Sequence, residues 1–152
     1  MNAHRALLIP VEGPITELHL PPSSDPSSDR SSLRTLQEAV GGWIEAVAIP
    51  EFVTDSERAT AYVNEEGKLE ALPINRRATD MMVPGVGLMW GDYIAGPMVV
   101  CGFDPRTGEN ASIPPGVERR VRLIEHEAGP APTPPPFEVI AVLVVEDDEA
   151  QP

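Results

Sequence analysis

The segment Leu33–Ile49 constrains this chain more than any other, because a helical pattern stops there on two adjacent glycines and restarts as a strand. Leu33, Leu36, Val40 and Trp43 recur at spacings of three, four and three, the signature of one apolar helix face. Ser31 or Ser32 supplies a capping side chain, which predicts a helix over residues 32–42. Gly41-Gly42 then lets the backbone take a positive φ and leaves no side chain in the way, so the pair can end the helix or admit a ligand to its amides. From Trp43 to Ile49 the pattern alternates, with Ile44, Ala46 and Ala48 on one face and Trp43, Glu45, Val47 and Ile49 on the other. A helix feeding directly into a strand demands a sheet for both to pack on.

The remaining elements supply that sheet. Ala6–Ile9 and Ile15–Leu20 flank Val11-Glu12-Gly13-Pro14 and read as a hairpin whose second strand, imperfectly alternating, suits a sheet edge. Ala59–Asn64 reads as a strand, Glu65–Lys68 as a tight turn and Leu69–Leu72 as its return. Residues 74–82 predict a short helix capped by Asn75, with Ala78, Met81 and Met82 turned inward. Gly85–Gly91 reads as a loop, and Asp92–Phe103 as an apolar strand kinked at Gly96-Pro97. In 112–127, Val117, Val121 and Ile124 stand at helical spacing, with a strand as the alternative. The expected fold is α+β: a mostly antiparallel twisted sheet, one main helix across one face, short extra helices, and a Pro-tethered C-terminal strand.

At 152 residues the chain has room for one core, assigned to residues 1–127 with a flexible Ser/Pro loop at 21–30. Residues 128–136 are a Pro-rich spacer, and 137–152 a strand followed by an acidic tail. The net charge of −13 repels nucleic-acid phosphates and anionic membranes, which excludes direct nucleic-acid binding of the ordinary kind. It fits either a solubility device or an acidic decoy for a nuclease. With one cysteine there is no internal disulfide and no thiolate metal cluster within the chain. No signal peptide or membrane span is evident, so a cytoplasmic protein is expected.

The residues also resemble a known family when taken in order. The N-terminal hairpin is followed by Leu36-Gln37, Val40-Gly41-Gly42 and Ile44-Glu45, then by Val63-Asn64-Glu65-Glu66-Gly67-Lys68-Leu69. Pro73, Asn75, Ala78-Thr79, Gly91-Asp92 and Ile94 to Gly96 complete the series. Over residues 5–104 this is similar to an uncharacterised family found in bacteriophages, particularly of actinobacteria, and in plasmids: domain of unknown function 3846. The resemblance implies no activity; it implies an accessory protein that modulates a host or counters its defences, working in the host cytoplasm. The loop at 21–30 and everything after Gly108 read as additions to the family core.

No nucleophile, acid–base set or metal spacing emerges, so a non-enzymatic role without cofactor is expected. His4, His19 and His126 are scattered, and Cys101 lies among apolar neighbours, as a buried hydrophobe does. A ligand site has more support. Asn75-Arg76-Arg77 puts two guanidinium groups at a helix start, a pairing that favours an anionic, nucleotide-like ligand. Gly41 and Gly42 permit close approach to the backbone, Trp43 or Trp90 can stack on a base, and Asn64 and Asp92 can add polar contacts. The bland alternatives are surface ion pairing for Arg76 and Arg77 and a simple helix stop for the glycines. Partner binding falls to the terminal strand, through Phe137, Val139, Ile140, Val142 and Val144, which can capture a host protein or add to the sheet of a homo-oligomer, with pairing inside its own sheet as the equal alternative.

Overall fold

A computed structural model describes residues 3–22, 26–49, 58–82 and 91–127. Along the chain these form β1 (His4–Ile9), β2 (Thr16–Leu20), α1 (Pro26–Val40), β3 (Ile44–Ala48), β4 (Ala59–Asn64), α2 (Arg76–Met81), β5 (Met98–Asp104), β6 (Glu109–Ala111) and α3 (Pro115–Glu127). The strands make one antiparallel sheet of order β2-β1-β5-β4-β3, with β6 paired to the far end of β5. This is the expected α+β architecture. The Pro-tethered strand, with Phe137, Val139, Ile140, Val142 and Val144, lies outside the described residues, as does the Gly85–Gly91 loop up to and including Trp90.

The sheet is covered on both faces. Leu7, Ile9, Ala61, Val63, Met98 and Val100 point to one side, where Ala78 and Met81 of α2 and Val117, Val121 and Ile124 of α3 pack on them. Ala6, Val99 and Cys101 point to the other, against Leu36 and Val40 of α1 and Leu20 of β2. Central β5 is therefore apolar without alternation, and Met98 to Cys101 are all fully buried. Each such side chain contributes about 1.5–3 kcal/mol through removal from water, so the sheet centre is the stable part of the molecule. Exposed, imperfectly patterned β2 takes one edge, as expected, and β3 takes the other.

Four elements differ from the sequence reading, each for a physical reason. Helix α1 begins at Pro26 rather than at residue 32, so it absorbs half of the Ser/Pro loop. Proline at a helix start loses no hydrogen bond, because the first N–H groups have no partner within the helix anyway. Leu69–Leu72 does not return as a strand: the turn winds on through bonds from Glu70 N to Glu66 O, Ala71 N to Lys68 O and Leu72 N to Gly67 O, and β4 pairs with β3 and β5 instead. The strand at 92–103 begins only at Met98, because Gly96 sits at φ +86 and breaks the extended run. Strand β6, three residues long, carries too short a pattern to be seen in the sequence. The alternative for 112–127 is settled as helix.

The Gly41-Gly42 pair has a definite structural use. Gly41, at φ +80, and Gly42 both donate to the Gln37 carbonyl, at 2.8 and 3.1 Å, and so close the last turn of α1. A Cβ on Gly42 would lie 2.9 Å from Asn64 Nδ2. Asn64 fills the space the glycine leaves and donates to the Val40 carbonyl at 3.2 Å. Because the helix ends at Val40, Trp43 falls off its apolar stripe, and the indole is 67% exposed. Leu33, expected on the same stripe, is also exposed, at 42%.

Candidate functional site

The arginine pair does not form the expected anion site. Neighbouring helix positions point about 100° apart, and here they meet different partners. Arg77 is buried and donates from Nη1 to the Gly13 carbonyl at 2.8 Å and from Nη2 to the Pro10 carbonyl at 2.6 Å, clamping the β1–β2 turn onto α2. Arg76 is exposed and lies 3.8 Å from Asp80, one helical turn on. Asn75 caps the helix as expected, accepting from Ala78 N at 3.0 Å. Its amide is committed as well, donating to the carbonyls of Ile9 at 2.9 Å and Gly96 at 3.0 Å. This fully buried side chain is a structural hub joining α2, β1 and the approach to β5.

Asn64 and Asp92, two other expected ligand contacts, do share a cavity. A cleft of about 460 Å³ opens between the β3–β4 hairpin, the turn after β4 and residues 92–95. Its floor is apolar, formed by Val47, Val63, Ile94 and Ala95. Glu45, Glu65, Lys68, Leu69 and Tyr93 stand around it. The turn reaches the floor because residue 67 is glycine: a Cβ there would lie 2.6 Å from the Ala95 carbonyl oxygen. Gly41, Gly42 and Trp43 are not part of the lining, and Arg77's partners belong to the β1–β2 turn.

The rim is organised by Lys68. Its ammonium pairs with Asp92 and lies 4.9 Å from the centroid of the Tyr93 ring, within cation–π range. Asp92 also accepts from its neighbour's amide, Tyr93 N, at 2.8 Å. Partial burial pushes the Asp92 carboxyl up, but Lys68 and that amide outweigh it and hold the carboxyl below its usual range. Lys68 is thus already neutralised, and Glu45 and Glu65, both exposed, leave the mouth with an excess of carboxylate. Sequence reasoning left out Lys68, Tyr93, Glu65 and Glu45 as site residues. Lys68 and Glu65 lie in the motif Val63–Leu69 and Tyr93 directly follows Gly91-Asp92, and the Lys68–Asp92 contact brings the two motifs together.

The other reactive side chains are occupied elsewhere. Cys101 is fully buried between α1 and the sheet, and desolvation pushes its thiol up to about 12. It is no thiolate at neutral pH. Tyr62 is pushed up too, by burial and by the Cys101 sulfur, against a 2.6 Å bond to Asn110 that lowers it. Arg5 joins the sheet to α3, pairing with Glu17 and binding both Glu118 oxygens, at 2.9 and 3.0 Å. His19 lies 4.0 Å from Glu17. No group of three or more His, Cys, Asp or Glu that could hold a metal ion occurs among the described residues. Nor is any described helix long and apolar enough to cross a membrane.

No curated protein and no solved structure matches this chain. A family model does, over residues 6–125, so the match runs past Gly108 and includes β6 and α3, which the sequence reading had set aside as additions. The α3 helix earns that inclusion physically, since Val117, Val121 and Ile124 complete one of the two cores. The chain belongs to the family described as Domain of unknown function (DUF3846).

Proposed function

We propose that this protein is a non-enzymatic binding module that takes a small polar ligand in the cleft between β3–β4 and residues 92–95, in the accessory, host-modulating setting implied by its family resemblance. The observation that carries this reading is the convergence of Glu45, Glu65, Lys68, Asp92 and Tyr93, from three separate segments, around one apolar-floored cavity. A concave apolar floor with a few convergent polar groups is the usual form of a small-molecule site. The charge balance moves the ligand class away from a nucleotide-like anion. Lys68 is held by Asp92, and the two remaining carboxylates favour a ligand that offers a cation or several hydrogen-bond donors, with a planar or apolar body against Val47 and Tyr93.

Titration calorimetry with three probes tests this: an aliphatic diamine, a neutral nucleoside and the corresponding nucleoside monophosphate. The diamine should bind best, and Glu45→Gln with Glu65→Gln should weaken it about tenfold, equivalent to roughly 1.4 kcal/mol. Tighter binding of the monophosphate, or an unchanged diamine affinity in the double variant, overturns the reading.

A further inference from the structure

We propose that Asp92 and Tyr93 form an ammonium site, that Lys68 fills it as a tethered competitor, and that the cleft takes an aliphatic diamine or polyamine whose ammonium displaces the lysine; the assignment rests on the cleft being a ligand site. Lys68 is the only lysine among the chain's 11 lysines and arginines. An arginine grips a carboxylate through two fixed N–H groups, whereas lysine presents a compact ammonium on a flexible four-carbon stem and is more easily exchanged. The corner gives that ammonium what any alkylammonium needs. The Asp92 carboxylate supplies the opposite charge, and the Tyr93 ring, its centroid 4.9 Å from the ammonium, supplies an electron-rich face. The carboxylate keeps its place when the ammonium leaves, because Tyr93 N donates to the same Oδ1 at 2.8 Å. Lys68 is thus a four-carbon amine already seated at the cleft, and a ligand of the same chemistry fits the place it vacates.

The Lys68–Asp92 pair is not what joins the two sides of the cleft. Residues 92–96 are tied to the segment after the turn independently of it: Asn75 N donates to the Ile94 carbonyl and Gly96 N to the Pro73 carbonyl, both at 2.8 Å, and Ile94 N donates to Thr79 Oγ1 at 2.9 Å. The turn itself packs Gly67 against the Ala95 carbonyl. Within that framework an ion pair whose side chains are 48% and 32% exposed adds little to stability. Release of the lysine is also compensated. Glu65 lies on Lys68's own turn and lines the cleft, so it can receive the released ammonium, which leaves Glu45 for the second ammonium of the ligand.

Titration calorimetry on the full chain, with a diamine of four-carbon spacer as probe, reads the competition directly. Lys68→Met keeps a flexible apolar stem and removes the charge, so it should tighten the diamine about tenfold while the melting temperature changes little. Arg106→Met removes an equal charge from the 89%-exposed side chain in the β5–β6 turn and should leave the affinity within about twofold, which separates displacement from long-range charge. Asp92→Asn should weaken the diamine, and adding Lys68→Met to it should bring no gain, since the contested carboxylate is gone. With one lysine in the chain, the Nζ resonance needs no assignment and should shift as the diamine saturates the unaltered protein. Unchanged or weaker binding in Lys68→Met overturns the proposal, as does an equal gain in Arg106→Met, a full gain on the Asp92→Asn background, or an Nζ signal that stays fixed. In each of those cases diamine binding that still depends on Glu45 and Glu65 leaves the cleft reading standing. A diamine that binds neither the unaltered chain nor Lys68→Met overturns both.

Discussion

Asn75 offers the sharpest check on how this fold is held. Its side chain is fully buried and makes three hydrogen bonds: it caps α2 through Ala78 N, and it ties the carbonyls of Ile9 and Gly96 together. Asn75→Ala removes a cap worth about 1 kcal/mol. It also withdraws a donor from two interior carbonyls, at about 1–3 kcal/mol for each acceptor left unsatisfied. The expected loss is roughly 3–7 kcal/mol, measured by urea denaturation at pH 7 with an unchanged m-value. Asn75→Asp separates the two contributions, because the carboxyl keeps the capping oxygen and replaces the amide donor. Ionised, it sets negative charge against two carbonyl oxygens, so its folded pKa must rise above the unfolded value of about 3.9. The native state then binds more protons than the unfolded state, and stability falls as pH rises through that window. Asn75→Asp should therefore be milder than Asn75→Ala near pH 4 and harsher at pH 7. A loss below about 1 kcal/mol for Asn75→Ala, or no change in the order of the two variants with pH, would refute the three-bond account.

The two adjacent arginines should separate cleanly. Arg77→Ala loses two charge-assisted bonds to the β1–β2 turn and should cost about 2–4 kcal/mol, whereas Arg76→Ala, at an exposed i,i+4 pair, should stay within about 0.5 kcal/mol, both read from denaturation midpoints. Glu118, held below its usual range chiefly by its bonds to Arg5, should make Glu118→Gln less stable than the unaltered chain at pH 7. Its folded pKa is depressed, so that advantage is present above the unfolded value and is lost as pH falls through the folded one; denaturation curves of the variant and the unaltered chain should differ at pH 7 and converge in acid.

How far the sequence reached depends on the range of the forces involved. Capping by Asn75, the inward triplet Val117, Val121 and Ile124, and burial of Cys101 were legible because each follows from side chains within a turn or two of one another. Local composition also misled. Pro26-Ser27-Ser28-Asp29 has the content of a loop, yet it sits in the opening turns of α1. Glu65–Lys68 signalled a turn but not where it would end; that depends on Gly67 lying against Ala95, nearly thirty residues away. The arginines failed as a pair for the same reason, since Arg77 is claimed by carbonyls of Pro10 and Gly13, more than sixty residues distant. For the cleft, both halves of the motif were visible, while their meeting through Lys68 and Asp92 is a tertiary fact.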